Sequence, residues 1–227
     1  MNRSVIFAVL LGLAGTGVLG ALGVWQLQRL EWKETIIAGA EAMMRDAPVA
    51  LPATLDPVAD RYRAVTATGR FTGEEAHVLT STREMGPGFL VIAAFETGGR
   101  RILVDRGFVP ETEKNTPRPA RDAEVTGNLN WPDDVTSSTP PHDADRAIWY
   151  GRDLGGIASL LGTEPVLIIA RSDTGDGILP QPVTTAGFRN DHFNYAVTWF
   201  SLAAVWLGMT AYLLWRIRAR PVSKRNG

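Results

Sequence analysis

Residues 190–215 read NDHFNYAVTWFSLAAVWLGMTAYLLW. From Tyr195 to Trp215 there is no charged residue. At about 1.5 Å per residue that run is long enough to cross a hydrocarbon core of about 30 Å. It is a transmembrane helix with a polar head, and Asn190 or Asp191 is placed to cap its first turn. His192 then lies about one turn above the membrane. Spacings of four, three, four and three residues put His192, Ala196, Trp199, Ala203 and Trp206 on one helical face.

A second uncharged run, VIFAVLLGLAGTGVLGALGVWQL, covers residues 5–27 and carries one strongly polar side chain, Gln26. It exceeds the apolar core of a signal peptide, so an uncleaved anchor is expected. Ala8, Gly12, Thr16 and Gly20 recur every fourth residue, with Ala204 and Gly208 as a matching pair in the other span. Such small side chains let helices approach closely. Gln26 needs a partner inside the apolar layer, and Asn194 and Tyr195 are the candidates.

Charge sets the expected orientation. Arg216, Arg218, Arg220, Lys224 and Arg225 crowd the segment after the second span without an acidic residue, whereas Arg29 and Lys33 are balanced by Glu31 and Glu34. The positive-inside rule places both termini in the cytoplasm and the central segment outside. Trp25 and Trp199 then mark the outer interface and Trp215 the inner one. The expected organisation is a first span at 5–27, an outer domain at 28–191, a second span at 195–215 and a basic tail at 216–227. With no Arg/Ser-rich presequence before Val5, a bacterial inner membrane is the expected location.

The central segment is patterned as a domain. A helix continues through Trp32 to Arg45, and Pro48, Pro52 and Pro57 break it. Strand-like runs follow at 62–71, 77–83, 89–97, 101–109, 124–129 and 165–171, bounded by turn residues. Gly98-Gly99 suits a tight hairpin, and residues 153–161 form a short helix stopped by Gly162. The expected class is an α+β membrane protein, with a two-helix hairpin flanking a mainly antiparallel sheet or partly closed barrel.

Composition narrows the chemistry. The chain has 227 residues, a formal charge of -1 and no cysteine. Disulfides, thiolate metal sites and CxxC redox chemistry are therefore excluded. No basic cluster outside the C-terminus suggests nucleic acid. Nucleotide-binding, metalloprotease and hydrolase motifs are missing, and no nucleophile, base and orienting residue can be named, so an enzyme is not expected. His77, His142 and the Asp133-Asp134 pair have ordinary solvated or satisfied roles. Asp105-Arg106-Gly107 reads as a charged strand end and turn.

Four blocks in order resemble the Surfeit locus protein 1 family, the assembly factors of cytochrome c oxidase. Gly23 to Lys33 is similar to G-x-W-Q-x-x-R-x-x-W-K, and Val104 to Pro110 to V-N-R-G-W-V-P. Trp149 with Asp153 is similar to W-x-x-x-D, and Asn190 to Phe200 to N-N-H-L-x-Y-A-x-x-W-F. Asp105, Phe108 and Asp191 depart from that pattern, where the family has Asn, Trp and Asn. The resemblance implies a role in building the haem a centres of an aa3-type oxidase, with the large oxidase subunit as partner and haem A synthase as a further candidate. It also implies haem a ligation by His192. The residues suit such a ligand: Arg29 can meet a propionate, Trp25 and Trp199 can flank the ring, and the apolar tail can lie against the Ala196 to Trp206 face, with Gln26 and Tyr195 also expected in the cofactor site. The alternative is a scaffold that holds an oxidase subunit through the outer domain without touching the cofactor.

Overall fold

The structure is a computed structural model and describes residues 3–219. Arg220, Lys224 and Arg225 of the expected basic tail lie outside the described residues. The described chain falls into two compact units, one up to Gly39 together with Ala186 onward, the other Ala40–Thr185.

In the first unit, α1 (Arg3–Arg45) begins with the apolar run and continues as one helix into the second unit, while α3 (His192–Ala219) carries the other. Both are long and apolar enough to cross a membrane, consistent with a two-span membrane protein. The two helices pack antiparallel. A Cβ on Gly12 would overlap Thr210, one on Gly15 would overlap Trp206, and one on Gly23 would lie 2.7 Å from Phe200. Ala196 and Ala203 are buried against this seam, as is Ala8. The seam differs from the expected strip: Gly20 and Gly208 face no neighbour, and Ala204 is exposed. A strict four-residue spacing drifts by about 40° per step around a helix of 3.6 residues per turn. Contact instead follows Ala8, Gly12, Gly15, Gly23 and Gln26, whose steps of four, three, eight and three residues keep to one side of the helix. Replacing Gly12 by Leu should separate the helices and cost about 1–3 kcal/mol through overpacking, measured as a lower Tm in detergent.

The second unit is a barrel. Its strands are β1 (Val49–Ala50), β2 (Ala64–Thr82), β3 (Gly86–Thr97), β4 (Arg100–Pro110), β5 (Arg121–Asn130) and β6 (Leu167–Ala170), with α2 (Leu154–Leu161) between β5 and β6. Strands lie in the order β1-β2-β3-β4-β6-β5, and β5 returns to pair with β2. The sheet therefore closes through β2 to β6, a five-stranded Greek-key plan shared with OB folds. Pairing is mainly antiparallel; the short β1–β2 and β4–β6 pairings are parallel.

Closure depends on β2. The two runs expected at 62–71 and 77–83 are one strand, broken in register between Phe71 and Glu75. Ala64 to Phe71 pairs with β5, and the remainder with β3. Gly73, at φ 86°, sits at the irregularity, where a bulge bends the strand from one neighbour to the next. Gly98 and Gly99 (φ 55° and 76°) make the two-residue β3–β4 hairpin, whose turn needs positive φ at both positions.

Both faces of β3, β4 and β6 are buried, which is why these strands are almost continuously apolar. Phe95, Ile102, Val104 and Ile168 fill the barrel with Phe71 and Leu129. Ile92, Leu103, Leu167 and Ile169 on the other face pack against Ile157 and Leu161 of α2 and against Trp149. Asp153 caps α2, accepting from Gly156 N at 3.0 Å, and Gly162 ends it at φ 61°. A Cβ on Gly156 would meet the Trp149 ring at 2.7 Å, so Trp149 is seated on the first turn that Asp153 caps.

Candidate functional site

Gln26 lies on the packed face of α1 and His192 opens α3. Gln26 is 8 % exposed, and its Oε1 is 2.7 Å from His192 Nδ1. The buried glutamine thus takes the histidine as partner, not Asn194 or Tyr195. Asn194 is two residues past His192 and so roughly 200° around the helix, facing away. A carboxamide oxygen has only lone pairs to offer, so Nδ1 donates the hydrogen, and in the neutral ring Nε2 then carries the lone pair. That tautomer is the one that ligates a metal through Nε2, and a carbonyl partner on the other ring nitrogen is the usual means of fixing it.

The helix start around His192 is built from its own neighbours. Tyr195 N bonds to Asp191 O at 3.2 Å, which places Asp191 at the N-cap. Its carboxylate accepts from Arg189 Nη2 at 2.9 Å. Asn190 Oδ1 is buried and takes no hydrogen bond.

The other expected residues are arranged around this pair and are not bonded to it. Trp25 and Tyr195 are exposed, Trp199 is half-buried, and Arg29 is exposed with its guanidinium carbon 4.5 Å over the Trp32 ring. The stacked pair holds the cation at the surface of α1, three residues beyond Gln26. Trp32 was visible only as part of a motif; the i, i+3 spacing from Arg29 is the signal that joins them. The Ala196 and Ala203 side chains are closed into the helix seam, so the face from Ala196 to Trp206 is not open to a ligand over its whole width.

A second concentration of charge lies in the barrel, and it is structural. Asp105 and Arg106 are 1 % and 2 % exposed, a correction to the charged strand end expected there. Val91 pairs with Gly107 and Ile92 with Asp105, leaving Arg106 as the extra residue of a bulge. The two side chains serve different segments. Arg106 Nε donates to Thr174 Oγ1 at 3.0 Å, and Nη2 donates to Thr174 O, Gly175 O and Asp176 Oδ2, at 3.0, 3.2 and 2.5 Å. Its guanidinium also covers the Phe71 ring at 4.5 Å. Asp105 Oδ1 accepts from Gly107 N at 3.1 Å, and Oδ2 is 3.5 Å from Arg152, which also holds Asp134. Burial pushes the Asp105 carboxyl up to about 6 despite the Arg152 charge. Gly107, at φ 121°, is overhung by Leu179 O, where no side chain fits.

His77 is satisfied by Glu75 at 3.0 Å, and His142 stacks on Trp149 at 4.1 Å between ring centroids.

The matches to known proteins cover both units. The model of the SURF1 family matches residues 13–204. The chain belongs to the SURF1 family. Surfeit locus protein 1 of Xenopus tropicalis is 33% identical over 85% of this chain and 70% of its own length. A SURF1-like protein of Monosiga brevicollis is 33% identical over 85% of this chain and 82% of its own. The human Surfeit locus protein 1 is 32% identical over 85% and 71%. The SURF1 family is known as assembly factors of cytochrome c oxidase. Within the SURF1 match, the blocks at Val104 and Trp149 build the barrel, whereas those at Gly23 and Asn190 meet at the Gln26–His192 pair.

Proposed function

We propose that this chain binds haem a through His192 at the outer membrane interface and helps deliver it to the large subunit of cytochrome c oxidase. The observation that carries the reading is the 2.7 Å bond from His192 Nδ1 to Gln26, which leaves Nε2 free and aims the ring. Haem supplies an iron that accepts such a nitrogen, and its propionates suit a cation such as Arg29. Trp25, Tyr195 and Trp199 offer aromatic surface beside the ring. The reading gives the iron one ligand from this chain, His192. A lone ligand favours release to a client. We place the protein in a bacterial inner membrane with both termini inside. Arg216 and Arg218 in the last turn of α3 support that orientation. Haem A synthase is the donor that fits this scheme.

The test is co-production with the enzymes that make haem a, followed by optical spectra and pigment extraction in detergent. Wild type should carry near-stoichiometric haem a, and a folded His192→Ala protein should carry none. A colourless wild type from cells that contain haem a would overturn the reading in favour of a scaffold acting through the barrel. Gln26→Leu should retain the fold but bind haem roughly 10- to 100-fold more weakly, the usual loss when a histidine ligand loses its orienting partner. Gln26→Glu keeps an acceptor and should restore binding.

A further inference from the structure

Two apolar cavities run along one flank of the helix hairpin. The larger, about 630 Å³, lies between Val18 and Leu19 of α1 and Leu202, Val205 and Met209 of α3. The smaller, about 320 Å³, reaches on to Leu11 and Leu213. Trp206 and Met209 line both, so the two lie end to end along the same flank.

The helical period fixes which flank this is. Leu11, Val18 and Trp25 follow one another at seven-residue steps on α1, and Tyr195, Leu202 and Met209 do so on α3. Seven residues drift by only about 20° on a straight helix. The groove therefore lies directly below Trp25 and Tyr195, on the flank where both are exposed. Along α1, Leu19 is seven residues below Gln26, roughly 10 Å at 1.5 Å per residue. Along α3, Leu202 is ten residues below His192, roughly 15 Å. In depth along the helix pair, the order is a cation at Arg29, His192 at the head of the seam, and then the apolar channel on the flank beside it.

We infer that this groove holds the isoprenoid tail of the haem. The inference rests on the proposed haem reading and names the part of the ligand that the channel takes. Haem a presents the same order of parts: carboxylates at one edge, iron at the centre and a long linear apolar chain at another edge. A lipid acyl chain matches the channel but gives no reason for its register with the histidine and the arginine. Because Ala196 and Ala203 are closed into the seam, the flank at Leu202 and Val205 takes the tail instead.

Haem o and protohaem share a ring and differ in the tail, so they isolate its contribution. The full chain in phosphatidylcholine nanodiscs is titrated with each. Wild type should bind haem o roughly tenfold more tightly, a modest preference because apolar contacts in lipid gain packing rather than dehydration. Val205→Trp, which fills the channel, should bind the two equally and keep the His192-dependent protohaem spectrum. Leu207→Trp, on the other flank, should keep the preference. If Val205→Trp also loses protohaem, Val18→Trp fills the channel from α1 and decides the matter. Equal binding of both haems by wild type, or an unchanged preference in the channel variants, overturns the inference while leaving ligation by His192 standing. Binding of neither haem by wild type overturns both.

Discussion

At pH 8 the Asp105→Asn protein should be more stable than wild type by about 3 kcal/mol, and at pH 3 the two should be equal. Asp105 is held in the barrel wall at 1 % exposure with its carboxyl pushed from 3.8 up to about 6 by burial, which outweighs the attraction of Arg152. A folded-state pKa above the unfolded value means that the native protein holds the proton more tightly. The resulting stabilisation is fully present below about pH 4 and is lost as pH rises through about 6. Asparagine copies the neutral acid: its Oδ1 keeps the bond to Gly107 N, and Arg152 keeps Asp134. The measurement is the difference in Tm between the two proteins in detergent across pH 3–8, which cancels carboxylates common to both. A difference that stays flat with pH would show that Asp105 ionises in the fold at no cost.

The neighbouring residue should behave in the opposite sense. Arg106→Ala is expected to destabilise the protein by about 3 kcal/mol at neutral pH, because buried carbonyls are left without their donor, while Asp176 is a quarter exposed and keeps Arg121. Thr174 O, Gly175 O and Asp176 would lose the donor on which all three converge, and Phe71 would lose the guanidinium that covers its ring. Arg106→Lys should recover only part of the loss, since an ammonium cannot span those acceptors with a fixed fork. Limited proteolysis should show cleavage within residues 171–180 before the rest of the barrel opens. A Tm within a degree or two of wild type would show that the segment is held by its own turns. The contrast between Asp105 and Arg106 comes from one extra residue in β4: the bulge sends adjacent charges to different segments.

The parts of the fold that repeat a simple period were legible in the sequence. The two apolar runs, the Gly98-Gly99 hairpin and the short helix capped by Asp153 each depend on residues close in sequence. What escaped depends on distant partners. Nothing local in Ala64–Thr82 says that one strand serves two neighbours, because its bend lies in a bulge that interrupts the alternation. The burial of Asp105 and Arg106 was hidden for a similar reason, since charged residues at a strand end are usually solvated. The helix seam was misassigned because small residues at four-residue spacing are plentiful here, and only three-dimensional contact shows which of them face a partner. Gln26 illustrates the boundary between the two cases. That it needs a partner follows from its place in an apolar run; that the partner is His192 required the structure.

The Gln26–His192 bond joins residues 166 positions apart, one in the first span and one at the head of the last. Its consequence belongs to biosynthesis. A growing chain that has completed α1 and the whole barrel still lacks His192, and its glutamine is unmatched. The histidine appears only when the final span leaves the ribosome, and its ring is oriented only when that span has docked against the first. Closure of the helix pair is thereby deferred until the last span has been made, and a chain that stops short of His192 leaves Gln26 without that partner.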